Sequence, residues 1–238
     1  MMAIYDRRLP KEYLIGISAL FPSASLLPLN IPTSHNIYGS ILCHPDIYIF
    51  QLDANTCVCS PMIAEEIIDS FHMAGIKIVF GKNVPRGGYP DTSCYNAVKI
   101  GKFFFHNLTC TDTVLLDALN KYTIKQIHVS QGYTRCSTVP VGDTGLITSD
   151  LGIARAAAKE GFDVLCISKG DILLPGEKYG FLGGASGIMP DGSIVFLGDI
   201  TLHPDVEKIK VFLVKHRVEY QYLKGLPLFD AGTIMFFE

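Results

Sequence analysis

Residues Gly142-Asp143-Thr144-Gly145-Leu146-Ile147-Thr148-Ser149-Asp150 carry the clearest local instructions in the chain. The first four are turn chemistry, since glycine and aspartate accept the backbone conformations of a tight reversal. Leu146–Thr148 is a short apolar run with β-branched members, as a buried strand requires. Ser149-Asp150 then offers side-chain oxygens to the free N–H groups of a following helix. Working outward, Cys136–Val141 predicts the strand before the turn. Leu151–Lys159 predicts the helix, Gly161 its stop and Val164–Ser168 a closing strand. The phrase is strand, turn, strand, helix, strand.

It recurs. An earlier copy has strands at Ile47–Leu52 and Thr56–Cys59 around the turn Asp53-Ala54-Asn55. A helix over Met62–Met73 follows, capped by Ser60, with Pro61 at its first position and Gly75 past its end. Ile63, Ile67, Ile68 and Phe71 share one face of it, and Ile76–Phe80 closes the unit. The next copy has strands at Cys94–Lys99 and Phe103–His106, turned at Gly101. Thr111-Asp112 caps its helix, which carries Val114, Leu115, Ala118 and Leu119, and Ile124–Val129 is last. A further copy has Gly183–Met189, the turn Pro190-Asp191-Gly192, Ser193–Leu197, a helix over Pro204–Lys215 and Val218–Leu223. The chain finishes on Phe229–Phe237, the first strand of a fifth unit.

A period of ~40–50 residues marks a repeat architecture, and each unit is too small to bury its helix face alone. Completing the fifth unit requires the N-terminal segment around Tyr13–Leu20, which joins the chain ends into a ring and removes open sheet edges. The expected fold is therefore one α/β domain over residues 1–238, a five-bladed α/β propeller around a pseudo-five-fold axis. Its fifth unit is shared between residues 226–238 and 1–35. Linear stacking, the competing arrangement, leaves a half-unit uncapped at the C-terminus.

Composition narrows the function classes. With 238 residues, 48% hydrophobic and 18% charged, the chain is long and apolar enough for a sizeable core. A net charge of −3 and pI of about 6.1 offer nothing to nucleic acid or an anionic membrane. Met1–Arg8 is polar and precedes no long apolar run, so a signal peptide is not expected. Seven cysteines, odd in number and without pairwise spacing, suit free thiols in a reducing cytoplasm. Cys57-Val58-Cys59 has no second cluster to make a zinc site with it. No metal and no cofactor is expected.

The chemistry concentrates at the heads of units. His44-Pro45-Asp46 precedes the apolar run Ile47–Leu52, and in a strand residues i and i+2 share a face. An imidazole would then stand beside a carboxylate, a pairing suited to proton transfer or to a cationic substrate. The same tripeptide also reads as a turn. Cys136, flanked by Arg135 and Ser137, is a candidate nucleophile or a small buried hydrophobe. Arg135 suits lowering of the thiol pKa, a substrate carboxylate, or a solvated surface position. Cys94 is the rival thiol, with Asp91 and Asn96 as nearby substrate-binding candidates or as turn and strand-end hydrogen-bonding groups. His203-Pro204-Asp205 repeats the tripeptide before a helix, where Pro204 suits the first position and Asp205 the positive end of the dipole. Gly183-Gly184 leads into a strand, so it lacks the helix N-terminus of a phosphate loop.

Units of this kind, closed five-fold, resemble the pentein fold of guanidino-group-modifying enzymes such as arginine deiminase, agmatine deiminase and dimethylarginine hydrolase. The resemblance covers about residues 36–238 and extends to an uncharacterised bacterial branch. His44-Pro45-Asp46 is similar to the His-x-Asp of those enzymes. Gly132-Tyr133-Thr134-Arg135-Cys136-Ser137-Thr138-Val139-Pro140 resembles their Gly-rich stretch ending in Cys-x-Thr-x-Pro. Phe229-Asp230-Ala231-Gly232-Thr233 takes the place of their Glu-Gly-Gly-Asp-like box. The order is circularly shifted, the box is reduced to Asp-Ala-Gly, and Gly183–Gly187 has no flanking carboxylate.

The resemblance implies Cys136, His44, Asp46 and Asp230 as the catalytic set, with Asp91, Asn96, Arg135 and Gly184 lining a substrate pocket at the axis. The implied activity is cysteine-dependent hydrolysis of, or amidine transfer from, a small guanidino or amidino compound. The alternative is a non-catalytic binding protein of the same fold, with a small-molecule or protein partner such as the ribosome. Met1–Thr33 either covers a neighbouring subunit of a homodimer or wraps its own ring.

Overall fold

A computed structural model describes residues 1–31 and 36–238. The chain opens with β1 (Met2–Asp6), α1 (Lys11–Leu20) and β2 (Ser25–Leu29). Then follow α2 (Pro45–Tyr48), β3 (Ile49–Asp53), β4 (Thr56–Cys59), α3 (Glu65–Met73) and β5 (Lys77–Phe80). Next come β6 (Val98–Ile100), β7 (Phe103–His106), α4 (Thr113–Lys121) and β8 (Lys125–His128). After them stand β9 (Thr138–Val141), β10 (Gly145–Thr148), α5 (Leu151–Lys159) and β11 (Asp163–Cys166). The last third holds β12 (Ile172–Leu173), β13 (Ser186–Ile188), β14 (Ile194–Phe196), α6 (Val206–Lys215), β15 (Tyr220–Tyr222), β16 (Leu228–Phe229) and β17 (Met235–Phe237).

Among the described residues five three-stranded sheets form, and all obey one rule: an antiparallel pair, then a parallel strand returned by a helix. β3-β4-β5, β6-β7-β8, β9-β10-β11 and β13-β14-β15 are each continuous in sequence. The remaining sheet draws β17 from the C-terminus, antiparallel to β1, which is parallel to β2. A parallel partner needs a crossover, and α1, α3, α4, α5 and α6 supply the five. The sheets are small and separate; β12 and β16 form a further two-stranded pair.

Packing follows the same succession. Ile49, Cys59, Ile67 and Phe71 share a core with Met2, Ile4, Met235 and Phe237. Phe104, Leu115 and Leu119 pack on Phe50 and Val58, and Leu146, Ile153 and Ala157 pack on Val98 and Phe105. Phe196, Ile209 and Leu213 pack on Val139 and Ile147, and Ala3, Ile17 and Phe236 on Val195 and Leu197. Each of the five crossover helices thus buries its apolar face against its own sheet and the preceding one. Each fully buried side chain of this kind is worth about 1.5–3 kcal/mol.

The structure departs from the sequence expectations where local cues competed. Ser60 Oγ accepts from Met62 N at 3.2 Å in a turn, so the first crossover helix begins at Glu65. Ile63 joins the core from that turn rather than from the helix. Tyr13–Leu20 is helical, and the strands that complete the fifth sheet flank it. Phe229–Phe237 divides into two strands serving different sheets. Most consequentially, Pro45–Tyr48 is one helical turn with His44 before it, so the strand argument for His44 and Asp46 fails. Of the N-terminal segment expected to complete the ring, residues 32–35 lie outside the described residues.

Candidate active site

Ahead of the first strands the chain turns instead of extending. Ile47 N donates to His44 O, Asn96 N to Ser93 O, Thr138 N to Arg135 O and Ser186 N to Gly183 O, at 2.9–3.2 Å. These heads are stitched to one another. Arg135 N donates to Asn96 O at 3.0 Å, Gly184 N to Cys136 O at 2.9 Å and Thr233 N to Gly184 O at 2.9 Å. Asp46 N donates to Gly232 O at 3.2 Å. Residues remote in sequence are thereby carried to one place.

There the Cys136 thiol donates to Asp46 Oδ2 at 2.8 Å and accepts from Asn96 Nδ2 at 3.2 Å. Asn96 Oδ1 in turn accepts from the backbone N–H groups of Arg135 and Cys136, at 2.9 and 3.2 Å. A ring nitrogen of His44, the Cys136 sulfur and an Asp230 oxygen lie within 4.8 Å of one another. Asp230 is held by Phe181 N at 2.8 Å and Gly232 N at 3.0 Å. Two glycines make this approach possible: a Cβ on Gly184 would enter the Asp230 carboxylate, and one on Gly232 (φ +62°) the His44 side chain. Among the described residues nothing hydrogen-bonds to His44 Nδ1 or Asp46 Oδ1.

The cluster is dry. His44, Asp46 and Asp230 are each 1% exposed, and Cys136 is 4% exposed. Burial, reinforced by the charges of Asp46 and Asp230, pushes the Cys136 thiol well up, so it rests protonated. Burial likewise raises Asp46 to about 6, against the thiol hydrogen bond and the Arg135 charge, and raises Asp230 against the pull of His44. Burial lowers His44, opposed by Asp230 and Asp6. Arg135 Nη1 donates to Thr138 O and Gly183 O at 3.1 and 3.0 Å. With Asp46, Arg135 lines a cavity of about 520 Å³ whose walls come from β3, β6, β9, β13 and β17.

The other sequence candidates lie elsewhere. Asp91 is exposed, and among the described residues no hydrogen bond ties its carboxylate to the cluster. The Cys94 thiol donates to Asp91 O at 3.1 Å in the Phe104–Leu115 core, and burial lifts it to about 11. Asp205 precedes α6 but does not cap it; its carboxylate accepts from Ser168 N at 2.7 Å and Ser168 Oγ at 2.6 Å. Sequence reasoning missed Asp6, at the end of β1 and 2% exposed, whose Oδ2 stands 3.8 Å from His44 Nε2. Nothing near Asp6 in the sequence signals a partner at position 44.

His44, Cys136 and Asp230 are also the described group with the composition of a metal site. Donors around one tetrahedral zinc stand roughly 3.5 Å apart, and here the thiol is already satisfied by Asp46. We assign them no metal. Among the described residues no helix is long and apolar enough to cross a membrane.

The chain is similar in structure to SxtG, an amidinotransferase from Microseira wollei in the saxitoxin biosynthetic pathway. The TM-score is 0.50 at 10% sequence identity, over 93% of this chain and 88% of that one. The likeness is one of fold alone: a mixed α/β architecture of small sheets. No curated protein matches the chain. Residues 17–235 match the family described as "Family of unknown function (DUF6873)", and the chain belongs to that family.

Proposed function

We propose that this protein is a cysteine-dependent enzyme of C–N bonds in small guanidino or amidino cations, a hydrolase or an amidine transferase. In this reading the five units close into one propeller-like domain about a pseudo-five-fold axis, and the cluster lies at that axis. What carries it is the convergence of Cys136, His44, Asp46 and Asp230, from three distant parts of the chain, on one buried point. Two carboxylates in a low-dielectric site, one with an unpartnered oxygen, favour a planar cation that can hydrogen-bond to both. Such a cation also offsets the negative charges that hold the thiol up, so substrate binding itself promotes the thiolate.

The steps balance. Cys136 gives its proton to His44, and the thiolate forms a C–S bond to the amidine carbon. The C–N bond to the leaving amine breaks as His44 returns the proton to that nitrogen. Water, losing a proton to His44, then attacks the same carbon; the C–S bond breaks and the proton returns to sulfur. An amine attacking in place of water yields the transferred amidine.

The test is labelling of the full chain with 2-chloroacetamidine, followed by peptide mass spectrometry. We expect modification at Cys136, faster than with neutral chloroacetamide and abolished in Cys136→Ser. No label on Cys136 from about pH 6 to about pH 9, while the exposed Cys166 reacts, overturns the enzyme. That outcome favours a binding module, the reading that the buried, protonated resting thiol supports.

A further inference from the structure

The chain's first strand ends at the imidazole. Asp6 closes β1 and its carboxylate is buried, with Oδ2 3.8 Å from His44 Nε2. That distance is too long for a hydrogen bond but short for a charge acting in a dry site. Asp6 is not idle: Oδ1 accepts from Arg8 N at 2.8 Å and Arg8 Nε at 2.9 Å, and Oδ2 pairs with Arg8 Nη2. Arg8 also donates through Nη1 to Gly39 O and through Nη2 to Ser40 O, at 3.1 Å for the latter. Ser40 Oγ in turn bonds Glu177 at 2.8 Å. One carboxylate therefore stands between a latch, made by Arg8 on the 39–40 backbone, and the ring of His44.

We propose that Asp6 is the positioning residue of His44, holding the ring proton on Nε2 and leaving Nδ1 as the base, with Arg8 setting how fully Asp6 engages it. This rests on the enzymatic reading above for its use in turnover, though not for the tautomer itself. Nδ1 has no hydrogen-bond partner among the described residues, so its lone pair is available for proton transfer. A carboxylate beside Nε2 favours the tautomer with the proton there. Arg8 and His44 compete for the same oxygen, Oδ2, so releasing Arg8 strengthens the pull on Nε2–H. The groups facing the ring are Asp230 ahead of β17, Asp6 on β1, Arg8 beyond it, and the Cys136 thiol ahead of β9.

The experiment reads the tautomer and titration of His44 from long-range 1H–15N spectra of the full chain. In the parent protein we expect the Nε2–H form. Asp6→Asn loses that preference and moves the protonation of His44 to lower pH. Arg8→Gln keeps the preference and moves protonation to higher pH, and Asp6→Glu restores the parent behaviour in part. Opposite shifts show that both charges reach the ring, and the lost Nε2–H preference is what a merely structural clasp does not produce. An unchanged tautomer in a folded Asp6→Asn chain overturns the proposal. Should that variant not fold, the absence of an upward shift in Arg8→Gln overturns it equally. In turnover, Asp6→Asn lowers kcat about tenfold with KM nearly unchanged. If Cys136 takes the probe but His44 ignores Asp6, this inference alone fails. If His44 responds and Cys136 never reacts, only the enzymatic reading fails.

Discussion

His-Pro-Asp occurs at 44–46 and again at 203–205, and both histidines are 1% exposed. The first lies ahead of an opening strand, β3, where the unit heads are hydrogen-bonded together. The second lies between a middle strand, β14, and its crossover helix. Asp46 meets a thiol in a dry cluster and is raised to about 6. Asp205 binds Ser168 and Lys208 at the surface, and those bonds hold its carboxyl far below the usual range. His203 Nδ1 is tied up by Asp205 N at 3.0 Å, while His44 Nδ1 is left open. One tripeptide thus yields a pair buried beside a thiol or a structural joint, depending on which end of a strand it sits at.

The largest effect that sharpens this contrast is on turnover. Under the proposed chemistry, His44→Ala lowers the rate on a guanidino substrate on the order of 10²–10⁴-fold, the usual contribution of a general acid–base. His203→Ala should change it only a few-fold; equal losses break the comparison. Next comes the backbone behind the first histidine. Gly232→Ala drives a Cβ into His44 and strains a left-handed residue, so a loss of about 1–3 kcal/mol in urea unfolding is expected along with activity. No glycine approaches His203 in this way among the described residues.

The smallest effects are on the acid side of the stability curve, and they have opposite signs. Asp46 takes up its proton more readily folded than unfolded, so its contribution to stability rises as pH falls from above 6 towards about 4. Asp46→Asn removes that rise. Asp205 is depressed, so its contribution is present above the unfolded value and is lost as pH falls through the folded one. Asp205→Asn removes that loss. Urea midpoints measured against pH read both slopes, and slopes of the same sign contradict the contrast.

Much of the repeat was legible because its cues are local. Asp112 caps α4 through Val114 N and Leu115 N, and Asp150 caps α5 through Gly152 N and Ile153 N. The unit heads were not legible as what they are. Cys94–Ala97, Cys136-Ser137 and Gly183–Ala185 read in sequence as the opening residues of strands. Their backbones instead bond in turns and across units, which no window of sequence contains. Candidate residues 44, 46, 136 and 230 were readable as types at unit heads, but the strand geometry invoked for the first two was wrong. Asn96 neighbours the rival thiol Cys94 in sequence, yet its side chain hydrogen-bonds Cys136.

The sequence by itself determined the order of strand, turn, strand, helix and strand, the caps, and a core divided among units, because these depend on neighbours within a few residues. Only the tertiary structure decided that β1 pairs with β17, that Asp6 reaches His44, and that Cys94 is a core thiol while Cys136 touches a carboxylate. The reason is that stitching between unit heads and burial by a neighbouring sheet set these contacts and charges, and both come from parts of the chain far away in sequence.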